Sequence, residues 1–442
     1  MLAVGLVLII GRGLVVGTPT DAGGSSVAIP DSGRHVATVE SIGAPKVAEQ
    51  IALIRIEPGP DEAASPALVE ALLPRYPEVS AGDRIAIQGR IEPPGDDDFG
   101  AYLRRLGAAG SLRSPTLEVI AGPDGALGLL DGIRRGSATA MIRALPEPQA
   151  GLADGILIGL RDRVDRDLAA AFTTAGVSHI VAISGWNIAI VGAMVAAALG
   201  TCVGPRRRTA ITILAIVAYT LVAGASPSVN RAAIMATICL TARAAGRSSS
   251  ANAALGWAVV ALLLIDPATV ADPGFALSGL ATAGLIAWAT ALTRRLQQVR
   301  GHRLPTWLAE SLAISLAAEA ATLPVVLLTF GRLAIIAPLA NLAIVPLVPP
   351  AMAAASVALV GGWLGVIGLP QTLVTLLGLP AWAVLGLMVA LVRLTASLPF
   401  ASVVLPPPWN LVAAGVAATL VTALAFGVRP GGRAAPIRAG AA

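Results

Sequence analysis

From Gly176 to Gly427 one apolar stretch follows another, each of a length that reaches across a bilayer, with short polar loops between them. The pattern predicts helices at about 177–200, 209–224, 228–245, 251–265, 274–292 and 307–330. Their loops alternate in sign. Pro205-Arg-Arg-Arg208, then Arg243 with Arg247, then Arg294, Arg295, Arg300 and Arg303 fall on one side, while Asp266 and Asp272 fall on the other. The basic side is expected to be cytoplasmic. Beyond Phe330, candidate segments at 333–347, 351–368, 371–395 and 409–427 would leave the basic tail outside, so the Pro-broken stretch Ala337 to Pro350 is expected to re-enter. The expected membrane domain, 177–428, is an all-α polytopic bundle of about 8–10 spans with that re-entrant segment.

Ahead of this block the period changes from that of helices to two. His35–Glu40, Gln50–Ile56, Asp83–Glu92 and Leu117–Ile120 read as short strands separated by Pro, Gly and Asp turns. Residues 34–121 are therefore expected to form a small all-β, OB-like barrel. Arg84, Gln88 and Arg90 alternate with Ile85, Ile87 and Ile91, which predicts one polar face, solvated because no aromatic residues are interleaved with it. Asp96, Asp97 and Asp98 open a short helix with Phe99, Tyr102, Leu103 and Leu106 on one side. Residues 129–176, with Arg134, Arg135, Arg143, Arg161, Arg163 and Arg166 set among Leu, Ile and Ala, read as amphipathic helices at a membrane interface. Residues 1–17 are expected to be an uncleaved membrane anchor, 18–33 a Gly/Ser/Pro-rich linker and 429–442 a basic tail.

Composition supports this division. The chain of 442 residues is 55% apolar, with a mean hydropathy of +0.77, which excludes an ordinary soluble enzyme. Of its 26 acidic residues only Asp266, Asp272, Glu310 and Glu319 lie beyond Gly176. The first part is thus an acidic aqueous domain and the second a basic membrane domain. All the basic residues but Lys46 are Arg, a bias that goes with the abundance of Ala and Gly, so a pI near 10 does not by itself imply nucleic-acid binding. Cys202 and Cys239 have no partners at metal-ligand spacing and form no disulfide framework. No cofactor, metal or catalytic group is expected.

Polar groups at membrane depth face a cavity or another helix. His179, Ser184 and Asn187 lie in the first predicted span, Asn230 and Arg231 about one turn into the third, Asp272 before the fifth, Glu319 near the middle of the sixth, and Asn341 in the Pro-broken stretch. Ser184-Gly-Trp-Asn187 reads as a break around a pore or as a plain helix contact. Arg231 reads as a path residue or as a snorkelling side chain. A carboxylate at the depth of Glu319 must be protonated, paired or wet. A serine protease is disfavoured, because five residues on one helix set His179 about 140° from Ser184. An ion-coupled small-solute transporter is the alternative, since such carriers build midplane sites from broken helices and buried carboxylates.

Four runs, in order, carry a resemblance: Ser178-His-Ile-Val-Ala-Ile-Ser-Gly185, Ala223-Gly-Ala-Ser-Pro-Ser-Val-Asn-Arg-Ala-Ala-Ile-Met235, Asp272-Pro-Gly-Phe-Ala-Leu-Ser278 and Phe330-Gly-Arg-Leu-Ala-Ile-Ile-Ala-Pro-Leu-Ala-Asn341. Together they resemble the ComEC-type competence proteins, and Gly82-Asp-Arg-Ile to Pro94 with Phe99 and Tyr102-Leu is similar to that family's OB-like domain. The resemblance implies an inner-membrane channel importing single-stranded DNA during natural transformation, with the β domain outside. It also implies separate DNA-receptor, nuclease and cytoplasmic motor proteins, and a homo-oligomer in the lipid bilayer. Two departures stand out. Many members have Ser-Gly-x-His where this chain has Ser184-Gly-Trp-Asn187, so the role of that histidine does not carry over. Many also end in a metallo-β-lactamase-like domain, whose His-rich site His35, His179 and His302 cannot build.

Overall fold

The computed structural model of the chain describes residues 33–42, 49–57, 67–74, 77, 79, 82–114, 116–123, 125–181, 183, 185–246, 250–265, 267–298 and 304–427. The predicted anchor, the linker up to residue 32, the basic tail and Ser184 lie outside them.

The N-terminal region is a β-sheet of β1 (Gly33–Ile42), β2 (Glu49–Ile56), β3 (Ala67–Pro74), β4 (Arg84–Gly89), β5 (Ile91–Glu92), β6 (Gly110–Arg113) and β7 (Thr116–Ala121), with α1 (Asp98–Leu106) between β5 and β6. Its order is β5-β6-β3-β2-β1-β4-β7, with β3 and β6 parallel and the other neighbours antiparallel. Ala37, Val39, Ala52, Ile54, Val69, Leu73, Ile85, Ile87 and Leu112 fill one core from alternate positions. The hydrogen-bonded order runs from β5 to β7 without closing, so the closed barrel expected from the strand count is not shown.

The strands β3 and β6 were not expected from the sequence. Ala67-Leu-Val-Glu-Ala-Leu-Leu-Pro74 is rich in good helix formers, yet it pairs along its whole length with β2 and buries every second residue. Cross-strand packing overrides the local preference there. The strand expected over 83–92 is interrupted at Arg90, and β5 turns to pair with β6.

In α1 the middle one of the three acids caps the helix. Asp97 caps it by accepting from the Gly100 amide at 2.8 Å, and Gly107, with φ of 69°, ends it in the left-handed conformation. Its apolar side is divided. Leu103 is buried, whereas Phe99 and Tyr102 stand exposed with their rings stacked at 6.1 Å.

The rest is helical: α2 (Gly125–Ala144), α3 (Gln149–Ile158), α4 (Arg166–Thr174), α5 (Gly185–Leu199), α6 (Pro205–Val222), α7 (Pro227–Ala244), α8 (Ala251–Ile265), α9 (Pro273–Gln297), α10 (Thr306–Phe330), α11 (Ala337–Ile344), α12 (Val348–Val366), α13 (Gln371–Ala396) and α14 (Trp409–Gly427). The short strands β8 (Arg332–Ala334) and β9 (Ser402–Val404) pair antiparallel. Among the described residues, five stretches are long and apolar enough to cross a membrane: Ser178–Leu199, Pro273–Gln297, Thr306–Phe330, Ala337–Val366 and Gln371–Ala396. Three shorter apolar helices, Gln149–Ile158, Ala251–Ile265 and Trp409–Leu424, accompany them. The protein is thus a multi-pass membrane protein with an N-terminal sheet.

The stretch expected to re-enter is helical through Pro338, Pro346, Pro349 and Pro350, with a 3-10 turn at Val345–Leu347, and it opens the 30-residue apolar run Ala337–Val366, long enough for a span, so re-entry is not shown. Within 129–176, α3 departs from the amphipathic reading, while α4 buries only Leu168 and Phe172. Every residue of α3 from Ala150 to Ile158 is buried, so this helix is a core element on which α12 and α13 converge. Small residues permit such approaches. A Cβ on Gly284 of α9 would lie 2.6 Å from the Ala317 carbonyl oxygen of α10, and one on Gly362 of α12 would collide with the Ala140 backbone of α2.

Candidate functional site

The turn before α7 is built by residues that helices avoid in their interiors. Gly224 and Ala225 take φ of 90° and 48°, Ser226 is extended, and Pro227 occupies the first turn of the helix. Asn230 folds back on this turn, donating from Nδ2 to the Ala225 carbonyl at 2.7 Å. Arg231 follows, and it is buried, with 5% of its surface exposed. Its guanidinium reaches α9, donating from Nε and Nη2 to Ser278 Oγ at 3.1 and 2.5 Å and from Nη1 to Thr282 Oγ1 at 2.9 Å. Ser228 braces Ser278 at 2.9 Å. Gly185, at the start of α5, lets that backbone come close: a Cβ there would sit 3.9 Å from Arg231 Nη2.

Ser278, Thr282 and Met235, the hydrogen-bond partners of Arg231, are all neutral. Among the described residues no carboxylate makes an ion pair with it. A buried cation without a counter-ion is costly, so the surrounding structure must be holding it for a purpose other than stability. Nη1 also meets Met235 Sδ at 3.1 Å, so four of the five N–H groups are engaged, and what the arrangement offers an anion is an oriented positive charge rather than a free donor fork.

A second cluster lies on α10. Ser315 Oγ donates to Glu319 Oε1 at 2.8 Å, and Asn341 of α11 donates from Nδ2 to Ser315 Oγ at 2.8 Å and to Glu319 Oε1 at 3.0 Å. Ser315 and Asn341 are buried and Glu319 is half-buried. Asn341 Oδ1 is buried with no hydrogen-bond partner. The fold therefore unites Glu319 with Asn341, as neither residue's position alone would suggest.

Arg231 and Glu319 do not meet. Gly284 of α9 lies against Ala317 and Ala321 of α10, whereas Ser278 and Thr282 face α7. At 100° per residue, Gly284 is about 200° around α9 from Thr282. Glu319 is likewise about 200° around α10 from Ala317, so the two charged groups point away from each other across the contact of α9 with α10.

The other expected residues have local roles. Asn187, 1% exposed, donates from Nδ2 to the Ile156 carbonyl of α3 at 2.9 Å, and Tyr219 of α6 turns its hydroxyl toward it. That is the helix-contact reading of Ser184-Gly-Trp-Asn187. Asp272 caps α9, accepting from the Phe275 amide at 2.8 Å. His179 lies on a 3-10 turn, Ser178–Ile180, ahead of the α-helix that starts at Gly185. The angle computed for one continuous helix from His179 to Ser184 therefore does not apply. His179 is exposed.

Sequence reasoning missed Ser278, Thr282 and Ser315. The signal was present, since Ser278 and Thr282 are one helical turn apart in an apolar span, and Ser315 is one turn before Glu319. It also missed Asp154, fully buried in α3 and 3.3 Å from Arg163 Nε. An acid in so apolar a helix was the available clue.

Comparison with known proteins converges on one family. The family model described as Competence protein matches residues 156–429, which begins inside α3 rather than at 177. The chain is 26% identical over 256 residues to ComE operon protein 3 of Bacillus subtilis (strain 168), a match covering 57% of this chain and 32% of that protein. The matched region thus spans about a third of that relative's length. No solved structure matches.

Proposed function

Since the chain belongs to the competence protein family, we propose that it takes part in DNA uptake, its membrane domain forming the inner-membrane channel that admits single-stranded DNA during natural transformation. Arg231 carries this reading. A polyanion crossing a low-dielectric slab needs fixed positive charge along a wet path. Arg231 supplies such a charge, buried, aimed by Ser278 and Thr282, and without a carboxylate to cancel it. The neutral hydroxyls orient the guanidinium without consuming its charge, which leaves it available to each passing phosphate. Glu319, which would repel phosphate, is on the far side of α9 from Arg231.

The N-terminal sheet is proposed to be an OB-like barrel outside the membrane. What supports this reading is that the two ends of the sheet are adjacent in sequence, β5 following β4 after the single residue Arg90 while β5 pairs antiparallel with β6 and β6 parallel with β3. The receptor, nuclease and motor are proposed to be separate polypeptides, and the channel a homo-oligomer.

The test is uptake of labelled DNA in cells carrying Arg231→Ala or Arg231→Lys at wild-type protein abundance. Arg231→Ala is expected to lower uptake strongly, and Arg231→Lys to lower it less, because the charge remains while the fork is lost. Wild-type uptake by Arg231→Ala would remove the channel reading.

A further inference from the structure

The Glu319 cluster has a donor deficit that identifies its ligand. Glu319 Oε1 already accepts from both Ser315 and Asn341. Asn341 has given its amide hydrogens to Ser315 and Glu319, which leaves its Oδ1 an acceptor with nothing to accept from, in a site closed to water on that side. An amide whose N–H meets one oxygen of a carboxyl places its own carbonyl oxygen toward the other oxygen. A single proton on that second oxygen closes the pair with two antiparallel hydrogen bonds. Exchanging the amide nitrogen and oxygen of Asn341 would instead set two acceptors, Oδ1 and Oε1, against each other.

We propose that Glu319, Asn341 and Ser315 form a proton-binding site within the membrane domain, the proton taken up on Glu319 Oε2 and held by a hydrogen bond to Asn341 Oδ1. The bond formed is Oε2–H, the proton comes from the aqueous phase, and the carboxylate becomes neutral. Glu319 is the half-buried member of the cluster, so the proton enters past its side chain.

The charged neighbours are too distant to replace the proton. Along α10, the packed helices α11 and α14 bring no charged residue, and α9 brings Arg294 and Arg295 in its last turn and Asp272 at its cap. With Gly284 level with Ala317 and Ala321, Arg294 is ten residues, or about 15 Å, further along the axis. Arg332 of β8 and Glu310 of α10 itself lie toward the two ends of that helix. Arg231 faces the opposite side of α9. No group of three His, Cys, Asp or Glu residues that could hold a metal ion occurs among the described residues.

The inference is independent of the DNA path, and its test reads no uptake. The purified full chain in detergent is treated with dicyclohexylcarbodiimide, which modifies protonated carboxyls in apolar surroundings, and the adduct is mapped by mass spectrometry. Glu319 is expected to be modified, progressively less as pH rises, while the exposed Glu310 on the same helix is not. Infrared spectra are expected to show a protonated-carboxyl C=O band that Glu319→Gln abolishes. Asn341→Val should move it to higher wavenumber, because one bond to that carbonyl is gone. No adduct at Glu319 at any pH in a monodisperse protein would overturn the proposal. So would protection by Na⁺ at constant pH, which would make the ligand a metal ion, or a band that Asn341→Val leaves in place.

Discussion

Charged side chains are treated in opposite ways at the two ends of this chain. In the N-terminal sheet each bridging Arg has a carboxylate: Arg34 bonds Glu118 at 2.7 Å, Arg84 bonds Glu57 and Arg55 bonds Glu40, all with substantial side-chain exposure. In the membrane domain Arg231 and Glu319 are more deeply placed, yet they are met only by hydroxyls, a thioether and an amide. Pairing is thus abundant where water makes it nearly worthless and missing where it would count most. A fold under selection for stability alone would show the reverse. Pairing returns in the helices that precede the spans, where fully buried Asp154 meets the partly exposed Arg163 and Arg135 of α2 meets Asp131 and the buried Asp83.

Breaking the comparison begins with the largest effects. Asp154→Ala leaves Arg163 facing an apolar core, and removal of one partner of a buried pair costs about 3–5 kcal/mol, measurable as a lowered unfolding midpoint in detergent. Arg231→Ala removes charge-assisted contacts worth roughly 1.5–3 kcal/mol, so DNA uptake should fall about ten- to a hundredfold with the unfolding midpoint little changed. If stability collapses and uptake per folded molecule does not, Arg231 belongs with Asp154 and the contrast disappears. Gly284→Ala forces α9 away from α10, at a cost of about 1–3 kcal/mol, read by the same unfolding assay.

The smallest effects belong to the sheet. Glu40→Gln, which breaks the exposed pair with Arg55, should change stability by no more than about 1 kcal/mol. Glu57 is held below the usual carboxylate range, chiefly by its hydrogen bond from Arg84, against a desolvation that pushes the other way. A depressed carboxyl stabilises the fold above its unfolded value and loses that contribution as pH falls through its folded value. Arg84→Ala should therefore reduce stability at neutral pH slightly and leave it unchanged in strong acid, as followed by circular dichroism of the full chain.

The membrane domain was more legible than the sheet. Helices α6 to α10 fall within a few residues of the positions read from apolar runs and their flanking Arg, because a bilayer-spanning helix must satisfy its own backbone and advertise its length. β3 was invisible because a strand's partners lie elsewhere in the chain, and Ala67 to Pro74 speaks locally for a helix. Among the candidate residues, Asp272 and Asn230 proved to be caps and turn ties, functions set by their immediate neighbours. Asn187 could not be assigned from sequence at all, since its partner Ile156 lies in another helix.

What the sequence determined by itself was periodicity, length and side: a β region before a bundle of spanning helices, and a few polar residues at depths where burial is expensive. Those are properties of one segment against its solvent. Which polar group meets which was decided by the tertiary structure, because hydrogen bonds are short and directional while the residues that make them, Arg231 with Ser278 or Glu319 with Asn341, are separated by dozens of positions or by a helix boundary. That decision, and not the presence of the charges, is what leaves one cation without its anion and one carboxyl in need of a proton.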